Sequence, residues 1–388
     1  MTFTARLGSE MLAALELARQ GCFRVEPNPL VGAVVLDRDG SAVGRGHHDV
    51  YGGPHAEVHA LAAAGHAARG GTLVVTLEPC AHTAKKTPPC VEVVLSAGLA
   101  RVVIGAADPN DATAGRAAPR LRAAGVEVVE GVEGAACAAA LARYAWHRGT
   151  GVPWTIAKWA MSADGRSADA AGASRWISGP ESRALVHELR ARVEAVIVGA
   201  GTVVADDPRL TARDAAPSGL PPARRVVIDS GLRAPLERRV YTETGDAATT
   251  VICTAAAAPE RRRALTGVGV VVEVVAADPD GRVDLVAAFR RLHATGVRRA
   301  LLEAGPRLTG AALRAGVVRQ VAAFTAPVIV GGDTAPTPFA GPGWHLAGAP
   351  RLAAARASAC GADALLEGYL GGPPAGPEPG PTAVSRSG

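Results

Sequence analysis

The sequence predicts two consecutive α/β domains, each a sheet with helices packed against it. Three observations lead there. Strand-like apolar runs alternate with helix-like periodicity between Val31 and Val129, and again between Trp154 and Thr325, the pattern of layered α/β folds. A short stretch rich in turn residues, Arg148-Gly149-Thr150-Gly151-Val152-Pro153, separates the two series. The length of 388 residues suits two domains. The expected division is a first domain over 1–147, a linker over 148–153, a second domain over 154–372, and a tail over 373–388. The tail is dominated by Pro, Gly and Ser, which predicts disorder.

Met1 to Gln20 reads as an amphipathic helix with Met11, Leu12, Leu15 and Ala18 facing inward. With charges at Arg6, Glu10, Glu16 and Arg19 among its apolar residues, it does not read as a signal peptide. Val31–Leu36 is a strand, Asp37-Arg38-Asp39-Gly40 its hairpin turn and Ser41–Gly46 the return. A helix is expected from His55 through Leu61 to Ala68, then a buried strand over Gly71–Leu77. Cys90–Ala97 is a helix, Arg101–Gly105 a strand, and Leu121–Val129 a helix-to-strand step. In the second half, strands are expected at Trp154–Trp159, Ala195–Val198, Arg225–Ile228, Thr250–Cys253, Val270–Val275, Arg299–Leu302 and Gln320–Thr325. No internal repeat is evident.

Composition bounds the function without naming it. Hydrophobic residues at 48% and charged residues at 20% describe an ordinary globular protein. The net charge of +5 and pI near 9.1 suit anionic ligands. Nucleic acid is not expected as a partner, because no basic run is interleaved with stacking aromatics. No apolar run reaches the length of a membrane span. Of six cysteines, only Cys80 and Cys90 lie close together with a histidine upstream. That sparse usage points to a reducing compartment and a cytoplasmic protein.

The most specific motif is His55-Ala56-Glu57, followed by Glu78-Pro79-Cys80 and Pro88-Pro89-Cys90. One histidine and two cysteines give a tetrahedral Zn2+ three protein ligands and leave the fourth position open, as catalytic sites do. Glu57 stands two residues beyond the histidine, placed to move protons without ligating. This combination is the signature of zinc-dependent nucleobase deaminases. Cys80 and Cys90 at or near a helix start would favour thiolates through the helix dipole.

Two glycine turns follow strands in the second half. One is Val196-Ile197-Val198-Gly199-Ala200-Gly201-Thr202; the other runs from Leu301 through Glu303-Ala304-Gly305-Pro306 to Gly310. Exposed amides at such a helix start can bind a pyrophosphate. Val204 stands where a third glycine would fall, so the G-x-G-x-x-G fingerprint is absent. By themselves these turns read as ordinary connections.

Taken in order, the motifs resemble the bifunctional riboflavin-biosynthesis deaminase/reductase family over roughly residues 8 to 370. The matching pieces include Pro27-Asn28-Pro29-Leu30-Val31-Gly32, Gly52-Gly53-Pro54-His55-Ala56-Glu57-Val58, Leu77-Glu78-Pro79-Cys80, Thr87-Pro88-Pro89-Cys90 and Asp108-Pro109-Asn110. In the second half they include Lys158-x-Ala160-x-Ser162-x-Asp164-Gly165, Ser174-x-Trp176-Ile177, Arg190-Ala191, Asp206-Asp207-Pro208-x-Leu210-Thr211-x-Arg213, Ile228-Asp229-Ser230 and Glu303-Ala304-Gly305-Pro306. The resemblance implies a cytidine-deaminase-like α/β/α sandwich followed by a dihydrofolate-reductase-like α/β domain. It implies deamination of 2,5-diamino-6-(5-phosphoribosylamino)pyrimidin-4-one, then NADPH-dependent reduction of the ribosyl group to ribityl.

By the same resemblance His55, Cys80 and Cys90 hold zinc, and Glu57 is the proton shuttle. Asn28, His48, Lys86 and Asn110 meet the deaminase substrate. Ser174, Arg190, Leu210, Arg213 and Glu303 meet the reductase substrate, with Arg190 and Arg213 suited to its phosphate. Met161, Trp176, Thr202, Asp206, Ser230 and the segment Gly305, Pro306, Arg307, Leu308, Thr309, Gly310, Ala311 meet NADPH. Read without the family, Trp176 is a core aromatic, Arg190 a helix-surface charge and Lys86 a solvated lysine. Lys158 and Asp207 lie inside the motifs without a role. Small-molecule phosphoribosylaminopyrimidines are the expected partners, and family analogy implies a homo-oligomer, dimer or tetramer.

Four departures from the family bear on specificity. The stretch Ala81 to Pro89 between the cysteines is one residue longer than usual, and Ala84 or Lys85 stands in a usual glycine place. Asp111 replaces a proline, and Ala114-Gly115-Arg116-Ala117 stands for Ala-Gly-x-Gly. An altered pyrimidine preference, or retention of the reductase alone, is the alternative these motivate. A binding-only protein is the third reading, opposed by Glu57, which a site without chemistry has no use for.

Overall fold

The computed structural model describes residues 3–81, 89–111, 113–213, 215, 220–243, 245 and 247–372. Lys86 and the tail 373–388 lie outside the described residues. The chain divides into two compact units, one ending at Thr150 and the other beginning at Gly151.

The first unit contains α1 (Phe3–Arg19), β1 (Gly32–Leu36), β2 (Ala42–His47), α2 (Ala56–Ala64), β3 (Thr72–Leu77), α3 (Cys90–Ser96), β4 (Arg101–Ala106), α4 (Ala117–Ala123), β5 (Glu127–Glu130), α5 (Gly134–Ala140) and α6 (Ala142–Thr150). Its sheet runs β2-β1-β3-β4-β5. β1 is antiparallel to β2 and β3, while β3, β4 and β5 are parallel. Every residue of β1 and β3 is buried, because the period-two alternation feeds two different cores. Val34, Val74 and Val103 meet Leu7, Met11, Ala14 and Leu15 on one face. Ala33, Val35, Leu73 and Val75 meet Ala56, Ala60, Val91 and Val94 on the other. The result is the α/β/α sandwich.

Two expectations change here. Leu12 is 48% exposed; the inward face of α1 is Leu7, Met11, Ala14, Leu15 and Ala18. At 100° per residue Leu12 falls just beyond that stripe. The helix α6 continues through Thr150, so the first residues of the expected linker are helical and the chain turns at Gly151, whose φ is +69°.

The second unit contains β6 (Trp154–Ser162), α7 (Pro180–Ala191), β7 (Ala195–Gly199), α8 (Ala200–Asp206), β8 (Arg224–Ile228), α9 (Arg239–Thr242), β9 (Thr249–Thr254), α10 (Pro259–Gly267), β10 (Val271–Val275), α11 (Leu285–Ala294), β11 (Arg299–Leu302), α12 (Pro306–Arg314), β12 (Gln320–Ala326), β13 (Ala353–Cys360) and β14 (Asp363–Tyr369). Its sheet runs β10-β9-β8-β7-β11-β6-β12-β14-β13. From β10 to β12 neighbouring strands are parallel; β14 and β13 close the sheet with an antiparallel hairpin. The hairpin was not anticipated. In an open parallel sheet, ligands bind beyond the carboxyl ends of the strands. The ends of β6, β7, β8 and β11 deliver Met161, Thr202, Ser230 and Glu303 respectively.

Candidate active sites

In the first unit the zinc motif becomes a single cluster. His55 is the N-cap of α2 and Cys90 is the first residue of α3. Cys80 follows the buried β3 strand, so three separate elements meet. The His55 Nδ1 lies 3.1 Å from Cys90 Sγ and 3.7 Å from Cys80 Sγ. All three donor atoms fall within 4.8 Å of one another. The Cys90 amide donates to Cys80 Sγ at 3.3 Å, and the Val91 amide donates to the Cys80 carbonyl at 3.3 Å. The ends of the lengthened loop therefore stay pinned together.

The α2 helix can approach the sheet closely because Gly44 and Gly46 of β2 put no side chain beneath it. A Cβ on Gly46 would lie 2.5 Å from the Ala60 nitrogen and 2.6 Å from the Ala56 carbonyl oxygen. That close approach sets the depth of Glu57, which is 3% exposed. Burial pushes the Glu57 carboxyl above its ordinary range, with the charge of His55 opposing. The Cys90 thiol is pushed far up, first by its hydrogen bond with Cys80 and then by burial. The helix-start effect expected to ease thiol ionisation is outweighed. A divalent cation among these donors reverses the balance, since zinc deprotonates coordinating thiols outright. An N/S set with this convergence fits zinc.

Of the residues expected to meet the substrate, Asn28 and His48 connect to the cluster through the His48 ring. The Asn28 Nδ2 donates to His48 Nε2 at 3.0 Å, which assigns the ring proton to Nδ1, facing the Pro54 carbonyl at 3.0 Å. The His48 ring lies edge-on to His55, centroids 5.3 Å apart. The Asn110 Oδ1 accepts from Arg148 Nη2 at 2.7 Å. Sequence reasoning missed Glu78. Its carboxylate accepts the amides of Gly115 and Ala117, both at 2.9 Å, and so anchors the segment that follows Asn110 to the end of β3. Its place directly before Pro79-Cys80 was the available signal.

In the second unit the two glycine turns come together. The Gly305 amide donates to Thr202 Oγ1 at 3.2 Å, and Leu308 packs on Gly199. Pro306 to Ala311 are the first residues of α12, with Gly305 as N-cap. The amides of Arg307 and Leu308 face outward from the first turn with no intrahelical partner. Thr309 and Gly310 are buried, and a Cβ on Gly310 would meet the Ala340 carbonyl at 2.4 Å. Trp176 is 70% exposed, with the guanidinium groups of Arg183 at 4.8 Å and Arg175 at 5.9 Å from its ring. An exposed aromatic between two cations is no core residue. Arg175 also donates to the Asp206 carbonyl. The Ser230 Oγ accepts from the Val283 amide at 2.9 Å, which leaves its proton to donate.

Glu303 is gripped by Arg190 in a two-pronged ion pair, Nε to Oε1 at 2.6 Å and Nη2 to Oε2 at 2.8 Å. Both side chains are largely buried, 14% and 11% exposed. Burial would raise the Glu303 carboxyl, yet Arg190 and then Lys158 bring it below its ordinary value. Burial lowers Lys158, with Glu303 opposing. The third arm of Arg190, Nη1, donates to the Thr211 carbonyl at 3.1 Å. Leu210 is 3% exposed and takes φ +56°. Asp207 (φ +43°) accepts the Arg239 amide at 2.8 Å and its Nε at 3.0 Å, which anchors this turn to α9. Ser174 is half-buried just before Trp176, and Arg213 is exposed.

Comparison with known proteins finds a match for each unit. Residues 7–106 match the cytidine and deoxycytidylate deaminase zinc-binding region, and residues 153–366 match the RibD C-terminal domain. The chain is 40% identical to the riboflavin biosynthesis protein RibD of Actinobacillus pleuropneumoniae over 333 residues, 86% of this chain and 87% of that one. To the Escherichia coli protein of the same name it is 38% identical over 336 residues, covering 83% and 88%. Acinetobacter baumannii RibD superposes with a TM-score of 0.78 at 32% identity, covering 95% of this chain and 99% of that one. The Thermotoga maritima diaminohydroxyphosphoribosylaminopyrimidine deaminase/5-amino-6-(5-phosphoribosylamino)uracil reductase gives 0.77 at 31%, covering 95% and 100%. A zinc-binding deaminase unit followed by a reductase unit, matched over nearly the whole chain, places this protein in the RibD family of bifunctional riboflavin-biosynthesis enzymes.

Proposed function

We propose that the first unit deaminates 2,5-diamino-6-(5-phosphoribosylamino)pyrimidin-4-one at C2 and the second reduces the deaminated product at C1′ of its ribosyl group with NADPH. The convergence of His55, Cys80 and Cys90 beside the buried Glu57 carries the first half of this reading. Zinc held by His55 Nδ1 and the two sulfurs would supply Lewis acidity and make water nucleophilic near neutral pH. The Glu57 carboxyl, raised by burial, takes a proton from the attacking water and returns one to the departing amino group. Asn28, oriented by His48, and Asn110, oriented by Arg148, offer amides to the pyrimidine edge. Lys86 is assigned to the substrate by family resemblance alone.

In the second unit NADPH would supply the hydride. The first-turn amides of α12 and the side chains of Thr202, Asp206, Ser230, Met161 and Trp176 are the groups suited to hold it. Glu303, kept ionised by Arg190, accepts hydrogen bonds from ribose hydroxyls. Arg213 and Ser174 remain for the phosphate, because Arg190 already spends its fork on Glu303. Glu57→Gln tests the assignment of the shuttle. The expected variant binds zinc, loses ammonia release by at least about a hundredfold and still oxidises NADPH on the deaminated compound. Normal ammonia release from the zinc-loaded variant would remove Glu57 from the chemistry.

A further inference from the structure

Arg213 is exposed and sits at the end of the turn that carries Leu210, with both its backbone and its guanidinium beside one side chain. The neighbour is His187, on the same face of α7 as Arg190 and one turn before it. The Arg213 amide donates toward His187 Nδ1 at 3.2 Å, and Arg213 Nη2 lies 3.4 Å from His187 Nε2. The Thr211 carbonyl is 3.2 Å from the same Nδ1. We propose that His187 is a positioning residue of the reductase, whose neutral imidazole holds Arg213 where it receives the phosphate of the substrate. This rests on the reading of Arg213 as a phosphate contact.

The argument is one of acceptors. A neutral ring has one acceptor nitrogen. With the proton on Nε2, Nδ1 accepts the Arg213 amide. With the proton on Nδ1, that proton goes to Thr211 and Nε2 accepts the guanidinium. Either tautomer takes one hydrogen bond from Arg213, and an imidazolium takes neither. Among the described residues the charged neighbours that face the ring are Arg190, Arg213 and Glu303, and Glu303 is already paired with Arg190. Burial first, then the two arginines, hold His187 below its ordinary value, so the ring is neutral at pH 7. Protonation comes only as the pH falls through that lowered value, and it releases Arg213.

The test is the kcat and KM of NADPH-dependent reduction by the full, zinc-loaded chain, with 5-amino-6-(5-phosphoribosylamino)uracil and with its phosphate-free counterpart. His187→Ala should raise KM for the phosphorylated substrate about tenfold, the loss of one charge-assisted hydrogen bond. Its kcat, and its KM for the phosphate-free compound, should stay near wild type. His187→Gln, which accepts but does not protonate, should recover most of the loss. Because the phosphate itself titrates near pH 6, that variant is the reference for acid behaviour; wild-type KM should rise more steeply than its own as pH falls. Equal KM changes with both substrates, or none, overturn the proposal. Arg213→Ala separates the two layers. A phosphate-selective loss there with a normal His187→Ala sinks only the role of His187, whereas no such loss removes the reading of Arg213 and the proposal with it.

Discussion

Replacing Glu303 with glutamine removes one charge and almost no volume, which makes it the sharpest probe of the second unit. The carboxylate faces Arg190 through two hydrogen bonds of 2.6 and 2.8 Å, with only 11% of its side chain exposed. Lys158 adds a second nearby cation. Breaking a buried pair by deleting one partner costs about 3–5 kcal/mol, because the remaining charge is left uncompensated. Glutamine keeps one acceptor, so the low end, about 3 kcal/mol, applies. In a domain of this size, each kcal/mol moves the midpoint by about 2–4 °C, giving a fall of roughly 6–12 °C. Calorimetry on the full chain reads this, and chelation of zinc identifies which transition belongs to the first unit. The folded carboxyl titrates below its ordinary value, so its stabilisation is complete at neutral pH and fades as pH falls through the lowered value. The gap between variant and wild type should narrow accordingly in acid. The double variant Arg190→Met with Glu303→Leu should regain most of the midpoint without regaining reduction. A single variant melting within about 1 °C of wild type would refute the claim that these two buried charges compensate each other.

Other expectations follow from particular contacts. Cys90→Ser should lower zinc measured by elemental analysis and abolish ammonia release, with NADPH oxidation on the deaminated compound retained. Gly46→Ala drives a methyl into the backbone of α2; it should cost about 1–3 kcal/mol and reduce ammonia release per bound zinc, since Glu57 rides on that helix. Asp164 accepts the Ser162 hydroxyl and the amides of Val330 and Gly331, which hold its carboxyl well below the ordinary range. Its contribution is present above the ordinary carboxylate value and lost as pH falls through the depressed one. Asp164→Asn should therefore flatten the acid limb of the stability curve, measured by denaturant titration.

How far the molecule was legible in its sequence depended on where local pattern and tertiary packing agree. Thr72–Leu77, Thr-Leu-Val-Val-Thr-Leu, is rich in β-branched residues and carries no charge, and it is a strand buried on both faces as that pattern suggests. The zinc donors were legible because spacing and chemistry together leave few alternatives. By contrast β13, Ala-Ala-Ala-Arg-Ala-Ser-Ala-Cys, is a mostly exposed edge strand of small residues. Neither β propensity nor alternation marks it, and it exists because β14 offers a ladder. Trp176, a core aromatic to local reasoning, is open to solvent, and only the family pointed to its surface role. Arg190 read as a phosphate ligand, yet its fork is committed to Glu303, a pairing 113 positions distant that no local window contains. Glu78 and His187 receive no role from the sequence, and Asp207 stands in its motif without one, because their partners are distant groups brought in by the fold.

Ammonia release from 2,5-diamino-6-(5-phosphoribosylamino)pyrimidin-4-one, followed without NADPH and then with it, tests the account most directly. Two working sites predict release in both cases, with NADPH oxidised only after deamination has supplied the second substrate. No release, alongside NADPH oxidation on the deaminated compound, would contradict it and leave a reductase joined to a zinc unit that does not act on this pyrimidine.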